Sequence, residues 1–156
     1  MARIYLGLGS NLGEKEVYLH KAIEQIEKQI GPLVARSVFF VSEPWGFESI
    51  NTFVNACVAV ETTIDPKACL RLIKGIEEAL GRPNKVSGEY SDRVIDLDIL
   101  FYDNWVMEEP ELIIPHPLLH QRMFVLKPLS EIAPELVHPI YKKTVLELLS
   151  ELSGQS

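Results

Sequence analysis

The chain has 156 residues, 47% of them hydrophobic and 24% charged, which is enough for one domain with a substantial core. Its formal net charge of −7 argues against nucleic acid or an anionic membrane as a partner, because both attract basic surfaces. No apolar run approaches a membrane span and no signal peptide precedes Ile4, so we expect a single cytoplasmic domain over residues 1–156. Cys57 and Cys69 have no zinc-site spacing and are expected to be buried thiols.

The first two-thirds of the chain carries clear periodic patterns. Alternating apolar residues predict strands, and apolar residues three and four positions apart predict helices. In chain order these patterns predict a strand at 2–9, a helix ending at Gly31-Pro32, strands at 33–42 and 53–64, a helix from the Asp65-Pro66 cap to Gly81, and a strand at 94–102. The order βαββαβ predicts an α+β fold: a ferredoxin-like core with an antiparallel sheet and its helices on one face.

The remaining residues are predicted to form a C-terminal appendage to that core. It would contain a short strand near 105–107, the segment Pro115-His116-Pro117 and a terminal helix. Thr144 and Glu147 have the spacing of a capping box at the start of that helix.

The strand at 94–102 carries two acidic residues, Asp96 and Asp98. Strand side chains alternate between faces, so both carboxylates lie on one face with Cα atoms roughly 6.5 Å apart. The two charges repel each other, and an oxygen-seeking cation such as Mg²⁺ would remove that repulsion. A solvated polar strand face would show the same pattern, so the pair alone leaves both interpretations open.

A polar loop at residues 82–93 precedes this strand and contains Arg82, Lys85 and Arg93. Arginine binds phosphate oxygens in bidentate fashion and lysine supplies a point charge. Phosphoryl transfer depends mostly on positioning and on neutralising charge. The alternative is a solvated loop with internal salt bridges, and the neighbouring aspartates favour the phosphate interpretation.

Two further groups of residues could bind a substrate. His116, between two prolines, and Arg122 could form a joint phosphate site, although His116 could instead cap the following helix. Aromatic and amide side chains, which suit a flat heterocycle, occur in the loop at 43–52 and nearby. They are Trp45, Phe47, Phe53, Asn55 and Phe124. Core packing is a credible alternative for Phe53 and a weaker one for Trp45.

Together these residues resemble the 6-hydroxymethyl-7,8-dihydropterin pyrophosphokinase family of folate biosynthesis, over nearly the whole chain. The combination is specific, although each motif alone is not. The motifs are Gly9-Ser10-Asn11-Leu12, Glu43-Pro44-Trp45-Gly46, Phe53-Val54-Asn55-Ala56, Gly81-Arg82, Asp92-Arg93 followed by Ile95 to Leu100, Pro115-His116-Pro117, and Arg122 with Phe124-Val125-Leu126.

The resemblance implies transfer of the β,γ-diphosphate of ATP to the hydroxymethyl pterin, with AMP leaving. Asp96 and Asp98 would bind two Mg²⁺ ions, and Arg82 and Arg93 would assist the transfer. The residues implied to bind ATP are Glu77, Arg82, Lys85, Arg93, Ile99, His116 and Arg122. Those implied to bind the pterin are Ser42, Pro44, Trp45, Phe53, Asn55, Tyr90 and Phe124.

Two other functions remain possible from the residues alone. The first is a ferredoxin-like RNA-binding or regulatory module, but aspartates on the relevant strand would repel a phosphate backbone unless metal is present. The second is a metal-dependent phosphatase, which would release phosphate rather than AMP. No large apolar stripe demands a protein partner, so we expect a monomer that binds small molecules.

Overall fold

Seven strands and four α-helices form the part of the chain that the computed structural model describes, residues 1–42, 52–81 and 94–154. The strands are β1 Ala2–Ser10, β2 Leu33–Arg36, β3 Phe40–Ser42, β4 Phe53–Thr62, β5 Asp96–Tyr102, β6 Met107–Glu109 and β7 Leu112–Ile114. The helices are α1 Lys15–Gln29, α2 Pro66–Ala79, α3 Met123–Ile132 and α4 Val145–Leu152, with a short 3₁₀ helix at Leu119–Gln121.

Local capping signals explain where two of the helices begin. The Asp65 carboxylate accepts the backbone N–H of Ala68 at 2.9 Å, and Pro66 occupies the first helical position of α2. At the start of α4, Thr144 and Glu147 form the predicted capping box, with reciprocal hydrogen bonds of 3.1 and 2.8 Å. Each cap satisfies amide groups that a helix N-terminus otherwise leaves unpaired.

Gly31 follows α1 where the chain passes close to β4. A Cβ atom built on Gly31 would lie 1.8 Å from the carbonyl oxygen of Glu61. Glu61 also donates its N–H to the carbonyl of Pro32 at 3.1 Å, so the two segments are held together. Only glycine allows this approach, which explains why the helix ends at the predicted place.

The main sheet is antiparallel and has the strand order β2-β4-β1-β5, with β3 also paired to β4. The predicted strand at 33–42 is therefore two strands. Arg36 is in register with Val58 and Phe40 with Asn55, so the stretch from Arg36 to Phe40 contains one more residue than the matching stretch of β4. Ser37 lies at this irregularity and its hydroxyl accepts the N–H of Cys57 at 3.0 Å.

The helices lie on both faces of the sheet. On one face, α1 and α2 pack on apolar residues of β1, β4 and β5, and this first core includes Ile4, Leu6, Val58, Val60, Ile73 and Ile99. On the other face, residues of α3 and α4 pack on the same strands and form a second core, which includes Tyr5, Cys57, Phe101, Leu126, Leu129 and Leu148. The two helices of the predicted core, α1 and α2, thus share one face of the sheet, and the C-terminal residues cover the second apolar face.

The remaining segments are short. Strands β6 and β7 form a separate two-stranded sheet, so the strand expected near 105–107 begins at Met107.

Cys57 and Cys69 are free and buried, as predicted. Among the described residues, no helix has both the length and the apolarity needed to cross a bilayer.

Candidate active site

The register of the three central strands brings the acidic pair close to Asn55. Asp96 is opposite Gly9, and Gly9 is opposite Asn55 on its other side. Two residues further along β5, Asp98 is opposite Gly7, and Gly7 is opposite Cys57. Paired residues of an antiparallel sheet point to the same face, so these rows share the face that α3 covers.

A pocket of about 320 Å³, partly open to solvent, lies between these rows and the start of α3. The sheet supplies the acidic pair, the two glycines and Asn55, and the helix supplies Phe124 and Val125. The residues that line the pocket are Gly7, Leu8, Gly9, Phe53, Asn55, Ala56, Cys57, Asp96, Asp98, Phe124 and Val125.

Gly7 and Gly9 form the floor of this pocket, a role that the sequence analysis did not predict. A Cβ on Gly9 would lie 3.0 Å from Oδ1 of Asn55 and 3.4 Å from the Phe53 ring, which is tighter than most real contacts. A Cβ on Gly7 would make ordinary contacts of 3.5 Å with Leu100. The signal that could have revealed them is the string Leu6-Gly7-Leu8-Gly9, in which one face of a strand has no side chains.

Asp96 and Asp98 are both half-buried on the pocket side of β5. The described part of the chain brings no third histidine, cysteine or acid to them as a metal-binding group. Two carboxylates with space beside them fit Mg²⁺, which usually takes one or two protein carboxylates and completes its shell with water and phosphate oxygens. They do not fit a metal that needs a closed cage of protein ligands.

Asn55 and Ser42 hold each other at the opposite side of the pocket. Asn55 is buried, and its Nδ2 donates to the Ser42 hydroxyl at 2.6 Å. This bond fixes which end of the amide faces the serine, so Oδ1 is turned towards Gly9. Phe53, which is 5% exposed, precedes Asn55 on the same face and packs beside it. Three of the residues predicted to bind a heterocycle are therefore adjacent.

His116 and Arg122 enter the site from the C-terminal segment. The Arg122 guanidinium lies over the Phe124 ring, 5.6 Å from its centre, and is largely buried. Nδ1 of His116 accepts the N–H of Leu118 at 3.1 Å, which leaves Nε2 as the nitrogen that carries the proton. Burial, and then the charge of Arg122, lower the pKa of His116 to about 4, against an upward influence of Asp96. His116 is thus neutral at pH 7 and lies near both Arg122 and Asp96.

The family model for 7,8-dihydro-6-hydroxymethylpterin-pyrophosphokinase matches residues 5–134 of this chain. The chain belongs to that family. Three bacterial relatives carry the name 2-amino-4-hydroxy-6-hydroxymethyldihydropteridine pyrophosphokinase. The protein of Porphyromonas gingivalis is 45% identical over 89% of this chain and 95% of its own length. Those of Aquifex aeolicus and Methylorubrum extorquens are 39% and 42% identical, each over 97% of this chain and over 92% and 94% of their own lengths.

Solved structures show the same fold at lower identity. A crystal structure of an HPPK-DHPS protein in complex with substrates has a TM-score of 0.80 and 17% identity, over 96% of this chain and 43% of that one. The wild-type Plasmodium falciparum HPPK-DHPS with STZ-DHP has a TM-score of 0.77 and 18% identity, over 96% and 43%. The pyrophosphokinase chain thus spans less than half of these longer proteins.

Two predicted ATP-binding residues of the pyrophosphokinase lie away from the pocket. The side chain of Ile99 is 3% exposed and packs in the first core, on the face opposite to the aspartates. Glu77 is buried in α2 and accepts the backbone N–H of Leu97 at 2.7 Å. An ATP contact by either residue stays a prediction. The structure does not bring the Ile99 side chain to the other site residues.

The remaining predicted site residues belong to the segments 43–51 and 82–93 and lie outside the described residues. They are the catalytic candidates Arg82 and Arg93, the ATP candidate Lys85, and the pterin candidates Pro44, Trp45 and Tyr90. In the sequence, the first segment leads into β4 and the second into β5, and both of these strands line the pocket.

Proposed function

We propose that this chain transfers the β,γ-diphosphate of ATP to the hydroxymethyl group of 6-hydroxymethyl-7,8-dihydropterin, giving AMP and the pterin diphosphate. Membership of the pyrophosphokinase family supports this reaction, which belongs to folate biosynthesis. The observation that carries the proposal is the pair of rows across the sheet. They set an acidic pair on one side of a glycine floor and an amide with aromatic residues on the other.

The acidic side of the pocket is assigned to the phosphates of ATP. Asp96 and Asp98 would hold Mg²⁺, two ions in our proposal, and the metal would supply charge neutralisation on the transferring group. Neutral His116 can donate its Nε2–H to a phosphate oxygen, and the Arg122 guanidinium can pair with another. The other residues assigned to ATP are Arg82, Lys85, Arg93 and Ile99, with Arg82 and Arg93 acting on the transferring group, whereas the Glu77 carboxylate is bonded to the Leu97 amide.

The opposite side is assigned to the pterin. Asn55 offers Oδ1 to a ring N–H, while its bond to Ser42 prevents the amide from turning. Phe53 and Phe124 supply apolar contact for a flat ring system. Pro44, Trp45 and Tyr90 complete this group in our proposal. The glycine floor leaves the space between the two substrates open, so the pterin hydroxyl can approach the β-phosphorus.

We also propose the finer classification of the fold. The strand order supports a ferredoxin-like core, and so does the element order β1-α1-β2-β3-β4-α2-β5, which is βαββαβ when β2 and β3 are taken as one interrupted strand. The C-terminal residues would be an extension that completes a second hydrophobic core. Residues 1–156 would form one domain, which acts as a cytoplasmic monomer on small-molecule substrates.

The decisive experiment incubates the protein with Mg²⁺, ATP and 6-hydroxymethyl-7,8-dihydropterin and separates the nucleotides by chromatography. We expect AMP and pterin diphosphate in equal amounts. A pterin with a methyl group in place of the hydroxymethyl group is the matched control, because it lacks the attacking hydroxyl and should yield no AMP. Release of inorganic phosphate without AMP would contradict the proposal and favour a phosphatase.

A further inference from the structure

The strand that carries the acidic pair is held differently on its two edges. β5 is the last strand in the order of the main sheet, and among the described residues only its inner edge pairs with another strand of that sheet, β1. On the outer edge, the N–H of Leu97 is donated to Oε2 of Glu77 at 2.7 Å. Further along, the carbonyl of Leu100 accepts the N–H of His116 at 3.0 Å. A side chain of α2 therefore takes the place of a neighbouring strand beside the aspartates.

Glu77 is an unusual residue at its position in the helix. It is 5% exposed and follows Ile76, which belongs to the first core. Burying a carboxylate is costly unless it is hydrogen-bonded, and a leucine of similar size would pack at this position without that cost. A short bond from an amide to a carboxylate is stronger than a neutral one. Packing alone therefore does not explain a carboxylate at position 77.

The amide that Glu77 binds lies between the two aspartates. Leu97 is the single residue that separates Asp96 from Asp98, so the position of its peptide group sets how both carboxylates project into the pocket. A strand that slips by one residue turns each side chain to the other face. Holding this one amide against α2 thus fixes the direction of both carboxylates at once.

The same hydrogen bond also joins the two elements on either side of the segment 82–93 in the sequence. Glu77 is four residues before Gly81, where the described chain stops, and Leu97 is three residues after Val94, where it resumes. The bond therefore ties α2 to β5, the two elements that this stretch of sequence, with Arg82, Lys85 and Arg93, connects.

From this geometry we infer that Glu77 is a positioning residue, which holds the peptide between Asp96 and Asp98 so that the pair can bind metal together with the nucleotide. The inference rests on the proposed function for the role of the pair. It assigns to Glu77 an action through the backbone of Leu97, distinct from direct contact with ATP.

Three variants separate these roles. Glu77→Gln keeps an acceptor oxygen, Glu77→Leu keeps the approximate volume but has no acceptor, and Glu78→Leu removes the same charge from the next residue, which is exposed. Thermal unfolding followed by circular dichroism first establishes that all three are folded. The amide exchange of Leu97 is then measured by NMR without metal or nucleotide. We expect exchange at least about tenfold faster in Glu77→Leu only, because that variant alone leaves the amide unbonded.

Metal binding provides the second readout. Mn²⁺ is titrated by calorimetry in the presence of a non-hydrolysable ATP analogue, and the analogue is also titrated alone in EDTA. We expect Glu77→Leu to weaken Mn²⁺ binding about tenfold, as loss of a group that orients metal ligands commonly does. Glu77→Gln should restore binding to near that of the parent protein, Glu78→Leu should leave it unchanged, and the affinity for the analogue in EDTA should be equal in all four proteins.

The contrary outcomes are distinct. The inference is overturned if Glu77→Leu leaves Leu97 exchange or Mn²⁺ affinity as in the parent protein. It is also overturned if this variant weakens metal-free binding of the analogue as much as metal-dependent binding, since Glu77 would then contact the nucleotide. A parent protein that binds Mn²⁺ but forms no AMP with the pterin contradicts the proposed function and leaves the inference about Glu77 standing.

Discussion

The two faces of the central sheet are built from the same strands but have opposite characters. On the face that α1 and α2 cover, β1 contributes Ile4, Leu6 and Leu8, and all three are buried in one core. On the other face, β1 contributes Gly7 and Gly9 where the pocket lies, beside Asn55 and the two aspartates. The alternation of strand side chains thus lets nine residues supply both a core and the floor of a site.

The second face is itself divided along its length. Tyr5 and Phe101 pack edge to face on it, 6.1 Å apart, and belong to the core that α3 and α4 cover. Packing occupies this end of the face, and the pocket occupies the other. Stability is therefore expected to depend on the first face and on one end of the second, whereas activity depends on the end with the glycines and acids.

The largest effect should come from removing one acid of the pair. We expect Asp98→Ala to lower the rate of AMP release by about 10³-fold, as loss of a group that stabilises transition-state charge can do. Ile4→Val, on the first face, should instead lower the free energy of unfolding by about 1 kcal/mol and leave the rate nearly unchanged. Near-normal magnesium-dependent AMP release by Asp98→Ala would show that the metal assignment is wrong.

The next effect, on stability rather than on activity, is expected at Gly31. Gly31→Ala would place a Cβ 1.8 Å from the Glu61 carbonyl oxygen, so the backbone must shift, at a cost of about 3 kcal/mol in the free energy of unfolding. Gly75→Ala is the control, because Gly75 is exposed in α2 with nothing within 4 Å of the added atom. It should gain about 0.5–1 kcal/mol of stability from helix propensity. Equal denaturation midpoints for the two variants would refute this difference.

The second core should respond to pH through His138. Its Nδ1 accepts the N–H groups of Ile140 and Tyr141 at 3.2 Å, and its ring contacts Phe101 edge to face. Burial, and then the nearby His120, lower the pKa of His138 to about 4. The unfolded chain takes up the proton first, near pH 6.5, so stability is complete above that pH and is lost as the pH falls towards 4.

His138 should contribute about 2 kcal/mol to the loss of unfolding free energy between pH 7.5 and 5, measured by denaturant unfolding. In His138→Gln the total loss over this range should be smaller by that amount. His116, whose pKa is also lowered, titrates in both proteins and cancels in the difference. An identical slope of stability against pH in the two proteins would refute the role of His138.

The smallest effect compares the two glycines of the pocket floor. In Gly9→Ala the added atom crowds Oδ1 of Asn55, so we expect the KM for the pterin to rise about tenfold, equivalent to about 1.4 kcal/mol. Gly7→Ala meets only Leu100 at an ordinary distance, and its KM should stay within about threefold. A larger effect at Gly7 than at Gly9 would contradict the assignment of Asn55 to the pterin.

The elements that the sequence predicts well depend on local signals. The Asp65 cap, the box at Thr144 and Glu147 and the end of α1 at Gly31 all lie where predicted, because each involves residues within a few positions of one another. The sharing of one face by Asp96 and Asp98 follows from strand alternation in the same way. The roles of the site residues remain proposals.

Features that depend on distant partners were not predictable. The interruption between β2 and β3 requires the register with β4, and the second core requires knowing which face α3 covers. The contact between Glu77 and Leu97 joins residues 20 positions apart with no motif to indicate it. The glycines of β1 form a visible pattern, but only the neighbouring strands show that they border a pocket.

Strand β4 has nine buried residues among its ten, since it lies between both helical layers and pairs with β1, β2 and β3. A local opening that separated β4 from one core would also break its contacts with the other. We therefore expect the two cores to unfold cooperatively, in a single transition. Ligands bound at the pocket should raise the melting temperature of residues far from it, including those of α1 on the opposite face.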